Sequence, residues 1–273
     1  MTDPQDPIFS VPEGLDRLRA VMARLRDPAG GCPWDVEQSF ATIAPYTIEE
    51  AYEVADAIAR ADMADLKGEL GDLLFQSVFH ARMAEEAGAF DLDDVVATVT
   101  DKMIARHPHV FGGQSRDKSA AQQTADWEAE KARERAARRD TGALDGVALA
   151  LPALMRAEKL QKRAARVGFD WPDAARVLDK IAEESAELAE ARESQDPTRT
   201  AEEMGDLLFS LVNLARHLGV DPETALRAAN DKFVRRFGAV ESTLAAAGTR
   251  PEEASLAEMD AAWDAAKRSE RGE

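Results

Sequence analysis

Apolar positions recur at helical spacing along almost the whole of this chain. Val54, Ile58 and Ala61 follow one another at three- and four-residue steps, and Leu70, Leu73, Leu74, Val78 and Ala81 repeat the pattern. Side chains three and four apart share a face, so each run predicts one buried stripe on a helix. β-branched runs are scarce, and Ala, Leu, Glu and Arg dominate. Gly and Pro punctuate the chain at Pro28-Ala29-Gly30-Gly31, Gly88, Pro108, Gly112-Gly113, Pro172, Pro197 and Gly219. The expected fold is therefore all-α. Each half should carry a leading helix (15–26; 152–166), a tryptophan-bearing loop, two acid-rich helices (47–60 and 64–87; 173–193 and 199–218) and a basic helix (91–106; 222–237). Short connections favour antiparallel neighbours in a bundle.

The halves are copies. Residues 69–83 read ELGDLLFQSVFHARM and residues 203–217 read EMGDLLFSLVNLARH, identical at nine of 15 positions. A period this long means duplicated domains, not a solenoid of short units. The stretch 114–143 reads as a charged helix and a hinge, which sets the expected domains at 1–140 and 141–273.

Each copy carries four carboxylates at matched spacing: Glu50, Glu53, Glu69 and Asp72, then Glu184, Glu187, Glu203 and Asp206. Within each pair the acids are three apart, and Glu50 to Glu69 and Glu184 to Glu203 are both 19 positions. Two adjacent helices so built aim four oxygens at one place, which is costly unless a cation fills it. One isolated pair would read as a solvated helix face. Retention of all four acids in both copies favours a metal site. No acid stands three residues before any of the four histidines, so the Glu-x-x-His motif of di-iron bundles is missing. An all-oxygen site suits Mg²⁺ or Mn²⁺.

Behind each quartet comes a cationic pair on one helix face: Lys102 with Arg106, and Lys232 with Arg236. Such pairs suit phosphate oxygens, although alone they would also fit a helix C-terminal surface. Trp127 with Lys131 and Trp263 with Lys267 repeat a Trp-x-x-x-Lys spacing that would let a ring stack on a base while the lysine reaches a phosphate. A core tryptophan beside a solvated lysine explains that spacing nearly as well. Trp34 and Trp171 are expected to anchor loops by packing. No GxxxxGK[ST], GxGxxG or GxSxG run is present.

Bulk charge narrows the partners. The chain carries 52 acidic against 34 basic residues, a net −18, which disfavours duplex nucleic acid. Cys32 is the only cysteine, so no intrachain disulfide forms and a reducing cytoplasm is expected. The first residues lack signal-peptide character, and no apolar run reaches membrane-spanning length.

EExxE, then ExxD, then a Lys/Arg helix resembles the MazG-type nucleoside triphosphate pyrophosphohydrolases of the all-α NTP pyrophosphatase superfamily. The segments GCPWD, ELGDLLFQ, GFDW, EEMGDLLF and NDKFVRRF carry the likeness over nearly the whole chain, in its two-domain form. The resemblance implies a homodimer and Mg²⁺-dependent hydrolysis of NTPs or dNTPs to the monophosphate and pyrophosphate, in nucleotide-pool cleaning. It implies metal ligation by Glu184, Glu187, Glu203 and Asp206, with Glu50, Glu53, Glu69 and Asp72 in the matching places. It gives Lys180, Lys232 and Arg236 phosphate roles, lets Trp263 and Lys267 meet the nucleotide, and leaves Glu183 (or Glu49) to activate water. Tyr46 stands where the second copy has Lys180, which favours the C-terminal copy for turnover. The alternatives are a narrower dUTP or phosphoribosyl-nucleotide pyrophosphohydrolase, and a non-catalytic helical interaction protein.

Overall fold

The computed structural model describes residues 6–113, 117, 119, 122–123, 126–127, 130 and 142–271. Among these residues there are helices and no strands. The chain forms two compact units, divided between residues 130 and 131. The expected 140/141 boundary, Lys131 and most of the expected charged helix lie outside the described residues.

In the first unit a 3-10 turn at Pro7–Ser10 precedes α1 (Leu15–Leu25), α2 (Pro33–Glu37), α3 (Phe40–Ala59), α4 (Met63–Glu86), α5 (Leu92–Arg106) and the short α6 (Pro108–Phe111). In the second, α7 (Ala153–Arg166) leads to α8 (Ala174–Glu193), α9 (Pro197–His217), α10 (Pro222–Ala246) and α11 (Leu256–Arg271). The acid-rich pairs α3/α4 and α8/α9 pack against each other as antiparallel hairpins.

Local chemistry sets those hairpins. Asp62 caps α4 through the amides of Ala64 and Asp65, and Asp196 caps α9 through those of Thr198 and Arg199. The residue before each cap is left-handed and not glycine: Ala61 at φ 55° and Gln195 at φ 56°. The same strained turn in both copies fixes the register between the acid-bearing helices. Gly88 (φ 67°) and Gly219 (φ 69°) close α4 and α9 in matching left-handed caps.

Two boundaries differ from the sequence expectation by more than two residues, and one expected loop is helical. α3 begins at Phe40, seven residues early, because a Ser39–Thr42 capping box starts the helix ahead of Pro45. α10 runs nine residues past 237, through Gly238, because Val240 and Leu244 bury against Ala262 of α11. Trp34 lies in α2 and not in a loop. The anchoring role expected of Trp34 and Trp171 is not met by burial: they are 50% and 44% exposed.

The first unit's core joins Met22 of α1, Ile43 of α3, Val78, Phe79, Ala81 and Met83 of α4, and Leu92 at the start of α5. Arg26 follows α1 and holds the carboxylate of Glu86 at 2.7 Å, clamping α4 to α1.

Candidate active site

Three acids of each quartet gather, drawn from two neighbouring helices. In the second unit, oxygens of Glu184, Glu187 and Glu203 lie within 4.8 Å of one another, drawn from α8 and α9. Asp206, one turn after Glu203, stands outside that trio but lines the same cavity as Glu184. In the first unit the trio is Glu50, Glu69 and Asp72, with the aspartate inside it and Glu53, the counterpart of Glu187, outside it.

The donors fit a divalent cation. Glu184 is buried, and its Oε2 finds no hydrogen-bond partner within the protein. A buried ionisable oxygen of this kind is costly unless something positive completes it. Its neighbours are carboxylates, a hard oxygen set suited to Mg²⁺ or Mn²⁺.

The two units differ in their cations. Lys180, one turn before Glu184, reaches Glu184 Oε1 at 2.7 Å and Glu183 Oε1 at 2.9 Å. Those two carboxylates hold the lysine's pKa above its ordinary value. Arg199 also approaches Glu203, at 3.6 Å. It was not singled out in the sequence, although the Arg-x-x-x-Glu spacing was available as a signal. In the first unit Tyr46 takes the lysine's place and packs edge-on against Trp34 at 5.9 Å.

Burial and repulsion raise the carboxyls of Glu50 and Glu69 above their ordinary 4.5. Glu187 is raised as well, by burial and by Glu203, with Lys180 opposing. A raised carboxyl keeps its proton in the folded state after the unfolded chain has lost it. These acids therefore cost stability as pH rises from the unfolded value through the folded one. A divalent ion binds the ionised form and reverses that cost. The Tm gain on adding Mg²⁺ is expected to be near zero at about pH 4 and to grow towards pH 7. Thermal melts with Mg²⁺ and with chelator check this; a gain independent of pH over that range contradicts it.

The remaining expected site residues sit elsewhere. Arg236 of α10 pairs with Glu270 of α11 at 2.7 Å and lies over the Trp263 ring at 5.8 Å. Trp263 also packs on Phe233, and Lys267 binds Asp264 at 2.7 Å. Lys232 is exposed on the same helix. These four residues gather on α10 and α11, with Arg236 and Lys267 tied to acids outside the quartet. In the first unit Lys102 is exposed, while Trp127 donates to the Arg106 carbonyl at 3.2 Å and meets His107 edge-on at 5.0 Å. Glu49 and Glu183 are exposed at the quartet rims.

Comparison with known proteins agrees with this architecture. The MazG nucleotide pyrophosphohydrolase domain matches residues 38–111 and 173–240, which span both acid hairpins and both basic helices. The chain is 55% identical over 258 residues to the nucleoside triphosphate pyrophosphohydrolase of Escherichia coli K12, covering 94% of this chain and 98% of that one. It is 44% identical over 253 residues to the nucleoside triphosphate pyrophosphohydrolase/pyrophosphatase MazG of Thermotoga maritima, covering 93% and 95%. A nucleoside triphosphate pyrophosphohydrolase of Mycobacterium tuberculosis is 41% identical over 152 residues, 55% of this chain and 44% of that one. With two acid-lined helical hairpins and matches of this extent, the chain belongs to the MazG nucleotide pyrophosphohydrolase family.

Proposed function

We propose that this protein hydrolyses nucleoside triphosphates, ribo- or deoxyribo-, to the monophosphate and pyrophosphate, with the second unit carrying most of the turnover. The observation that supports it most is the orphaned, buried Glu184 carboxylate oxygen beside Glu187 and Glu203, with Lys180 at its edge. Such a site recruits a cation and a polyanion together.

In the reaction, a water oxygen bonds to the α-phosphorus as the bond to the bridging oxygen breaks and pyrophosphate leaves with the electron pair. The chain supplies positioning and neutralisation, with no covalent nucleophile. Glu184, Glu187, Glu203 and Asp206 would hold magnesium, which would neutralise phosphate oxygens and acidify the attacking water. Glu183 takes the water proton. Lys180 leaves its carboxylates for the phosphates and offsets charge on the departing group. Lys232 and Arg236 serve the same purpose from α10, with Trp263 and Lys267 beside the nucleotide. In the first unit Lys102, Arg106, Trp127 and Lys131 take the corresponding places, and Glu49 that of Glu183.

Exposed Leu70 and Leu74 on α4 and Met204, Leu208 and Leu211 on α9 leave apolar faces that a second copy would cover, in line with a homodimer. Among the described residues no helix is long and apolar enough to cross a membrane. With Cys32 free, the reading is of a cytoplasmic enzyme that cleans the nucleotide pool.

Product analysis tests the reaction. Incubation with each common NTP and Mg²⁺ should yield pyrophosphate and NMP in equal amounts. Orthophosphate with NDP would overturn it, and turnover confined to dUTP would favour the narrower alternative.

A further inference from the structure

The second unit contains a cavity of about 600 Å³ whose wall includes Lys180, Glu184 and Asp206. That volume lies in the range typical of small-molecule pockets. Leu160, Phe169, Trp171 and Phe209 supply apolar and aromatic walls. Two amide side chains, Gln161 of α7 and Asn213 of α9, also line it.

The protein fixes which way each amide faces. Gln161 is 5% exposed, and its Nε2 donates to the Phe209 carbonyl at 2.8 Å. A carbonyl only accepts, so the flipped amide would oppose two oxygens. Gln161 Oε1 is therefore the remaining group, and it finds no partner within the protein. Asn213 Oδ1 accepts from Arg216 Nη2 at 2.9 Å. Arginine only donates, so Asn213 keeps Nδ2 as its spare group. Arg216 is itself held by Asp170. Gln161 and Asn213, both in the cavity wall, thus keep one spare acceptor and one spare donor beside the clustered acids.

The first unit differs: a buried amide with an unpartnered oxygen occurs there at Gln76 of α4, one turn after Asp72. Phe79, 134 residues before Asn213, puts a ring where the second unit has that amide. Phe79 is 1% exposed within that unit's core.

We infer that Gln161 and Asn213 bind the nucleobase of the substrate, an inference that rests on the pyrophosphohydrolase reading. Every common base carries a ring or exocyclic N–H next to an acceptor. A single donor–acceptor pair grips all of them and selects weakly, so it sets affinity for a nucleoside over bare polyphosphate. An unmet buried acceptor is costly, and the base N–H relieves it.

The test uses the full-length chain with Mg²⁺ and calorimetry, comparing the α,β-methylene analogues of ATP and UTP with inorganic tripolyphosphate. Gln161→Met removes the amide at similar side-chain length, and Asn213→Asp keeps the acceptor for Arg216 while removing the donor. Each variant should weaken both nucleotide analogues about tenfold, the worth of one hydrogen bond, and leave tripolyphosphate binding unchanged. Equal loss for tripolyphosphate would assign these residues a structural role and overturn the inference. Unchanged nucleotide binding in both variants would overturn it as well. Failure of the wild-type protein to release pyrophosphate from any NTP would instead remove the reading beneath it.

Discussion

Replacing Glu187 by glutamine is expected to lower pyrophosphate release by at least about 100-fold, while Glu53→Gln leaves most of the rate. Groups that merely support a metal ligand commonly contribute 10- to 100-fold, so a direct ligand should exceed that. Glutamine keeps the shape and one oxygen but removes the charge. Glu187 belongs to the trio with Glu184 and Glu203, and its raised pKa reflects burial and the neighbouring Glu203. Glu53 occupies the matching place in a unit whose lysine position is Tyr46. Steady-state assays of the two variants with ATP and Mg²⁺ decide the matter. Equal losses, or a larger loss from Glu53→Gln, would reverse the assignment of turnover to the second unit.

Lys180→Met should reduce kcat/KM on the order of 10- to 100-fold, the range of one charge-assisted hydrogen bond. The same substitution should tighten Mn²⁺ binding measured without nucleotide. The reason is the lysine's double duty. In the free protein its ammonium neutralises Glu184 and Glu183 and so competes with a cation. In the proposed reaction it moves to the phosphates. A lysine with a purely structural role would weaken metal and nucleotide together. Opposite movements of the two affinities, read by metal titration and by kinetics, distinguish the cases.

The helical architecture and the quartets were legible in sequence because they depend on local periodicity. Acids three apart share a helix face wherever that helix packs, and a short connection forces neighbouring helices antiparallel. The duplication made the quartets legible twice over, whereas which three acids of each gather, with Asp72 in one copy and Glu187 in the other, was not legible. Boundaries were harder where a cap or a tertiary contact outweighed the local signal. Ser39 and Thr42 start α3 before Pro45, and burial against α11 carries α10 through Gly238. Gln161 and Asn213 passed unnoticed as ordinary polar residues within helices. For Asn213 the signal lay in comparing copies, where Phe79 changes to an amide in otherwise matched helices.

Residue order alone determined an all-helical, duplicated chain with two carboxylate quartets, and with Lys180 in one copy against Tyr46 in the other. Packing decided that Glu184 is buried with an unmet oxygen, that Arg236 is held by Glu270, and that a cavity adjoins Glu184, Asp206 and Lys180. The physical division is one of range. Helix faces repeat every few residues, whereas desolvation and the orientation of an amide depend on groups tens of positions away in the chain.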